Sequence, residues 1–165
     1  VMENVSKELK EKAISLGLCE EWTNEWQNED KDALCEKYVK GIDFCIMHNY
    51  PSTQYMKDNF DGIMQNHGVF VDDKGTVNNL AKAVLNGLSI MDMSYDKFSV
   101  GTIYLRHNSA LNIIAKDNAK VFIFTYDNCI LNIKCSDSAI VYVYNHGGSI
   151  NYDINENILV RYGND

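Results

Sequence analysis

SALNIIAKDN (109–118), AKVFIFTYDN (119–128), CILNIKCSDS (129–138) and AIVYVYNHGG (139–148) are four consecutive decamers that align without a gap. Their third position holds Leu111, Val121, Leu131 and Val141, and their fifth holds Ile113, Ile123, Ile133 and Val143. Residues i and i+2 of a strand share a face, so each block offers two branched aliphatics to one side. The first position is small throughout, from Ser99 through Ser109, Ala119, Cys129 and Ala139 to Ser149. Each block ends on turn formers: Asp117-Asn118, Asp127-Asn128, Asp137-Ser138 and Gly147-Gly148. Asp and Asn side chains mimic turn hydrogen bonds, and Gly accepts positive φ. A strand unit this short cannot bury its face alone, so it must stack on copies of itself.

The outward positions set the size of the coil. Position four reads Thr102, Phe122 and Tyr142 in alternate blocks, with Asn112, Asn132 and Tyr152 between them. Position six reads Tyr104, Phe124 and Tyr144, with Ile114, Lys134 and Ile154 between them. Large aromatics therefore recur every twenty residues. Neighbouring strands of a meander share one outer face, and nothing there calls for a period of two blocks. In a two-sided coil, residue i lies beneath residue i+20, and one sheet becomes aromatic. The repeat is read as a two-sheet β-solenoid with about 20 residues per coil. Arg106, Tyr126 and His146 continue the aromatic sheet in its next outward column. Ile158, Val160 and Tyr162 are expected to form an end strand that caps the stack, with a front cap between Thr76 and Gly87.

Ahead of the repeat the periodicity is helical. Ser6 is placed to cap a helix reaching Leu16, with Leu9, Ala13 and Leu16 on one face and Gly17 as its stop. Trp22 and Trp26, four apart, are expected to cover it. A second helix is read from Asp30 to His48 through the stripe Leu34, Tyr38, Ile42 and Cys45. Pro51, the only proline, precedes Ser52-Thr53, which opens a third helix carrying Tyr55, Met56, Phe60, Ile63 and Met64. Val69-Phe70-Val71 reads as a short strand with Asp72 to Gly75 as its turn. The whole is an α+β chain: a small helical domain over 1–72, a linker or solenoid cap over 73–88, and the β-solenoid over 89–165.

Charge and composition narrow the function classes. The chain carries a net charge of -8, and its first 70 residues hold 7 Lys against 13 Asp and Glu. Nucleic acid is not expected as a partner, because phosphate binding requires a local Lys and Arg surplus. The candidate helix-turn-helix about Tyr50-Pro51-Ser52 offers only Lys57 against Asp58 on its second helix. No apolar run is long enough for a membrane span, and the start lacks a signal-peptide plan, so the chain is read as cytoplasmic. The five cysteines are then expected as free thiols.

Catalytic and metal chemistry find little footing. Cys45-x-x-His48 is the one pair with local ligand spacing, with Cys19, Cys35 and His67 elsewhere, and zinc needs four converging ligands. Asp117, Asp127 and Asp137 recur at every turn, which assigns them to turn chemistry before calcium or acid–base work. No phosphate-cradling glycine loop is present. No cofactor, metal or catalytic residue is expected.

The pattern Asp117-Asn118-Ala119-x-Val121-x-Ile123, repeated at 127–133 and 137–143, resembles the short β-solenoid repeats of several bacterial proteins. Bactofilin-type polymer-forming proteins are similar in style, with glycine-rich coils and a shorter period that this chain does not share. With Gly41-Ile42-Asp43-Phe44-Cys45 in the helical half and Phe98-Ser99-Val100-Gly101 entering the repeat, the layout resembles uncharacterised proteins of gut bacteria and their prophages. That resemblance implies the architecture and a prophage setting, and no activity or site residue.

The candidate binding surface is the aromatic sheet: Tyr104, Arg106, Phe122, Phe124, Tyr126, Tyr142, Tyr144 and His146. Three uses compete for it. The helical half can pack on it, a second copy or another protein can dock there, or a flat ligand such as a sugar ring can stack on it with Arg106 and His146 as donors. The expected function is a non-enzymatic interaction or assembly module, with a carbohydrate-binding or carbohydrate-active solenoid as the alternative.

Overall fold

The computed structural model describes residues 2–163 and divides the chain into two compact units, which meet between His67 and Gly68. The first unit is helical: α1 (Met2–Ser15), α2 (Glu20–Glu25), α3 (Lys31–Lys40), α4 (Ile42–His48), α5 (Thr53–Phe60) and a 3-10 turn (Met64–His67). Its core holds Leu9, Ala13, Trp26, Leu34, Tyr38 and Met56. Gly17 ends α1 at φ 98°, and Ser52 caps α5 by accepting from the Tyr55 amide. Three details depart from the sequence reading. The third helix stops at Phe60, and Met64 lies in the 3-10 turn that follows, while Ile63 lies between the two. Ser6 is buried inside α1 rather than capping it; its hydroxyl accepts from Trp26 Nε1 and the Glu29 amide and donates to the Gln27 carbonyl. The long second helix is two helices, because Gly41 interrupts it. The apolar stripe runs unbroken across that interruption, which is why periodicity alone reads through it.

The second unit is a β-solenoid built of two parallel sheets. Its strands are β1 (Val69–Val71), β2 (Lys74–Asn78), β3 (Lys82–Asn86), β4 (Ile90–Tyr95), β5 (Val100–Leu105), β6 (Ala110–Ala115), β7 (Lys120–Thr125), β8 (Ile130–Cys135), β9 (Ile140–Asn145), β10 (Ser149–Tyr152) and β11 (Ile158–Tyr162). One sheet runs β1-β3-β5-β7-β9-β11 and the other β10-β8-β6-β4-β2. Every pairing is parallel, and from β4 through β9 each residue pairs with the one twenty positions on. A meander would pair consecutive strands antiparallel. The solenoid register also starts earlier than residue 89. Val69–Val71 is already a strand of the first sheet, and the stretch expected to be a front cap is β2 and β3.

The inward columns are closed to water. Leu111, Val121, Leu131 and Val141 are all fully buried, as are Ile103 and Ile123. Chain-wide ladders hold the coils in register. On the second sheet the amide of Asn112 donates to Asp92, that of Asn132 to Asn112, and that of Asn151 to Asn132, each at 2.9 Å. At the corners Lys97, His107, Asp117, Asp127 and Asp137 all lie in the left-handed region, with φ from 53° to 60°. The carboxylate of the next coil accepts the amide of such a residue: Lys97 gives to Asp117, Asp117 to Asp137, and His107 to Asp127. The turn aspartates thus fasten one coil to the next.

The sequence alignment in tens fails after Gly148. Ser149 pairs with Ile130 and Asn151 with Asn132, an offset of nineteen, and Ile158 pairs with Val141, an offset of seventeen. One residue is missing at the Gly147-Gly148 corner and two more before β11. Asn151 rather than Tyr152 therefore continues the asparagine column, and Tyr152 takes the inward phase beside Ile133.

Candidate functional site

The outward face of the first sheet carries the aromatic residues in two adjacent columns, because strand pairing in steps of twenty sets like beneath like. Thr102, Phe122, Tyr142 and Leu159 form one column, and Tyr104, Phe124, Tyr144 and Arg161 the other. The rings stack face to face. Phe122 lies 4.8 Å from Tyr142, Tyr104 4.9 Å from Phe124, and Phe124 4.8 Å from Tyr144, with ring planes within 14° of parallel. That spacing is the distance between neighbouring strands, so the backbone dictates the stack. Tyr126 and His146 repeat it at the strand end, 5.0 Å apart. All five residues Tyr104, Phe122, Phe124, Tyr142 and Tyr144 are half-buried. Phe124 gives both faces to its neighbours, and the other four rings give one face each.

Arg106 is the exception among the expected surface residues. It is buried at 3 % exposure, and its guanidinium donates to Asn86 Oδ1 at 2.8 Å. The outward column it shares with Tyr126 and His146 starts with Val71 and Asn86, both buried, so at this end of the face an outward direction does not bring exposure. Val84 and Val69, which continue the Tyr104 column, are buried as well. Arg106 is not available as a surface donor.

Beside it, His107 completes a corner of the coil. Its Nδ1 accepts the Gly87 amide at 2.9 Å, and its own amide donates to Asp127 Oδ2. The ring must be the neutral Nε2–H tautomer to accept that bond. Burial, followed by the neighbouring Arg106 charge, lowers the ring's pKa from 6.5, against an opposing pull from Asp127 and Asp72. Above pH 6.5 folded and unfolded rings are both neutral, and the corner's stabilisation is complete. As pH falls below 6.5 the unfolded ring takes up a proton more readily than the folded one, and stability declines until the folded ring titrates too. Denaturation midpoints compared across this range should fall with acidification more steeply for the native chain than for His107→Asn. At neutral pH the variant is expected to lose about 1 kcal/mol, the worth of one hydrogen bond.

The metal candidates do not assemble. Among the described residues no three His, Cys, Asp or Glu side chains converge. Cys35 and Cys45 are buried in the helical core, and burial pushes the Cys35 thiol up to about 12, so it remains a protonated apolar side chain. His67 faces Asp32 at 2.8 Å. The five cysteines are free thiols. No helix among the described residues is long and apolar enough to cross a membrane.

The helical unit holds a cavity of about 320 Å³, lined by Leu9, Trp22, Trp26, Tyr38, Phe44 and Tyr50 among others, and a second of about 440 Å³ bordered by Glu8, Leu16, His48 and Tyr55. Lys37 sits over both indoles, 5.6 Å from the Trp22 ring and 5.2 Å from the Trp26 ring. That ammonium is held by the rings. No protein-family model, no curated protein and no solved structure matches the chain.

Proposed function

We propose that the protein is a non-enzymatic interaction and assembly module, and that the aromatic face of the solenoid is its protein-docking surface. The observation behind this reading is the double ladder Phe122–Tyr142 and Tyr104–Phe124–Tyr144, stacked in place and half-buried on the outward face of the first sheet. Rings locked by their neighbours lose little side-chain entropy on docking, and Tyr- and Phe-rich rigid surfaces suit interface cores. Full burial of an aromatic side chain contributes on the order of 1.5–3 kcal/mol by area, and these half-buried rings have the remaining part of that to gain. A sugar is a poorer fit than a protein. Stacking on a pyranose needs a free ring face and nearby donors, whereas here each ring gives at least one face to a neighbour, Phe124 gives both, and the expected donor Arg106 is buried.

The test is the solution mass of the native chain against a Phe122→Ser/Phe124→Ser/Tyr144→Ser variant, with circular dichroism as the check on folding. The mass is expected to fall in the folded variant. Equal masses for the two would sink self-association through this face. Phe124→Ser alone, which removes two stacking contacts and leaves the rest, is expected to have an intermediate effect.

A further inference from the structure

We infer that the smaller cavity of the helical unit, walled by α1, α2, α3 and α4, is a binding site for a compact arylalkanoate: an aromatic ring carrying one carboxylate on a short chain. This site is independent of the aromatic face of the solenoid. Its volume of about 320 Å³ stands at the lower end of the range for small-molecule sites. Trp22, Trp26, Phe44 and Tyr50 give it an aromatic wall. Each of these rings is fixed by a contact of its own. Trp26 Nε1 donates to Ser6 Oγ at 3.2 Å, and the Tyr50 hydroxyl donates to the Leu9 carbonyl. Phe44 meets Tyr50 edge to face, with centroids 6.1 Å apart and planes at 85°. Trp22 lies against Gly41, where an added Cβ would stand 3.4 Å from Cη2 and Cζ3 of the indole. The Trp26 N–H and the Tyr50 hydroxyl are spent inside the protein, so these rings offer a ligand carbon only. Rings around a compact volume suit a flat aromatic body, which gains edge-to-face contacts that an acyl chain cannot make.

Charge selects the other half of the ligand. Lys37 and Lys40 line the cavity, and among the described residues of its lining Asp43 is the one carboxylate. The surrounding sequence has the opposite balance, with 7 Lys against 13 Asp and Glu over residues 1–70. Lys40 is exposed, whereas the Lys37 side chain is only 19 % exposed and its ammonium is held over the Trp22 and Trp26 rings. Glu29 Oε1 stands 3.9 Å from that ammonium, too far to accept a hydrogen bond. The rings attract its charge but leave its N–H groups without an acceptor among the described residues. A carboxylate in the cavity supplies that acceptor, in a charge-assisted bond that a partly desolvated site strengthens. A neutral hydrocarbon leaves the N–H groups as they are, and a small inorganic anion leaves the aromatic wall uncovered.

The test is calorimetric titration of the full chain with naphthylacetate and with its uncharged counterpart, naphthylacetamide. The native chain is expected to bind the acetate at least about tenfold more tightly than the amide. Lys37→Met keeps an unbranched apolar side chain beside the indoles and is expected to lose that preference while still binding the amide. Lys37→Arg is expected to restore it, and circular dichroism checks that each variant is folded. Cys19 locates the site, because it lines the cavity and is exposed. Saturating naphthylacetate should slow its alkylation by iodoacetamide several-fold, while Cys135, half-buried in the solenoid, keeps its rate. Equal affinity of the native chain for the two probes, or an undiminished preference in Lys37→Met, overturns the carboxylate assignment. Equal loss of both probes in Lys37→Met would make the lysine a prop for the rings and overturns it as well. An unchanged alkylation rate at Cys19 places the binding elsewhere and removes the site.

Discussion

Gly101→Val is expected to destabilise the protein by roughly 3 kcal/mol or more, although valine is what the repeat itself places in that column. Gly101 stands in register with Val121, and Val121 with Val141. It differs because the Tyr95 ring occupies the volume that a side chain would need. A Cβ on Gly101 would lie 2.3 Å from Tyr95 Cε2 and 2.6 Å from Cζ. Tyr95 is fully buried, and its hydroxyl donates to the Leu80 carbonyl at 2.7 Å, so the ring has nowhere to go. Overpacking of this kind costs about 1–3 kcal/mol when the surroundings can shift, and more when they cannot. The column of Tyr95 continues with Ala115 and Cys135, so a large-plus-glycine pair in this coil replaces a small-plus-valine pair in the next two. Tyr95→Ala alone should cost about 3–5 kcal/mol as a cavity. Combined, Gly101→Val/Tyr95→Ala converts this coil to the arrangement of its neighbours. The double variant should be more stable than Gly101→Val alone, with a coupling energy of about 2–3 kcal/mol by denaturant unfolding. Additive losses would mean that the ring and the glycine do not compete for one space.

That pair shows what the repeat made legible and what it concealed. The two inward columns, the small corner residues and the twenty-residue aromatic period all follow from patterns of period two and ten, and the register observed from β4 through β9 is the one those patterns require. The helical unit was legible in its elements but not in their joints, since Gly41 breaks a stripe whose periodicity continues. The solenoid's first strands were missed because their spacing departs from the repeat: Val69 pairs with Val84 at an offset of fifteen and Lys74 with Ile90 at an offset of sixteen, so columns of ten do not reach back through them. At the aromatic surface the ring columns were readable, because outward phase follows from inward phase. Burial along those columns was not, since Val84 and Arg106 have the same phase as Phe124 and Tyr126 and yet are closed to water. Phase is a property of one strand. Exposure depends on what lies over the sheet.

Gly148→Ala is expected to release the last coil without unfolding the rest. At this corner the chain is one residue short, and Gly148, at φ 94°, fits into the space above Cys129. A Cβ there would stand 2.6 Å from both the Cys129 carbonyl oxygen and its Sγ. The left-handed conformation itself costs an L-residue about 1–2 kcal/mol, and the collision adds to it. The corner cannot retreat without breaking the bond from the Ser149 amide to the Cys129 carbonyl, which seats β10 on β8. Stability in a stacked repeat is close to a sum over neighbouring coils, so the strain is relieved where fewest contacts are lost, at the end. Amide hydrogen exchange should therefore accelerate over residues 149–162 by two orders of magnitude or so, about 3 kcal/mol of local stability, while β5 to β7 keep their protection. Cys129→Ala in the same chain removes the sulfur but leaves the carbonyl, so the rescue should be partial. This contrasts with Gly101, whose competitor is wholly a side chain and whose rescue should be large. Full recovery with Cys129→Ala would place the constraint in the thiol and not in the shortened backbone. Uniform loss of protection along the solenoid would show that the coils melt as one unit.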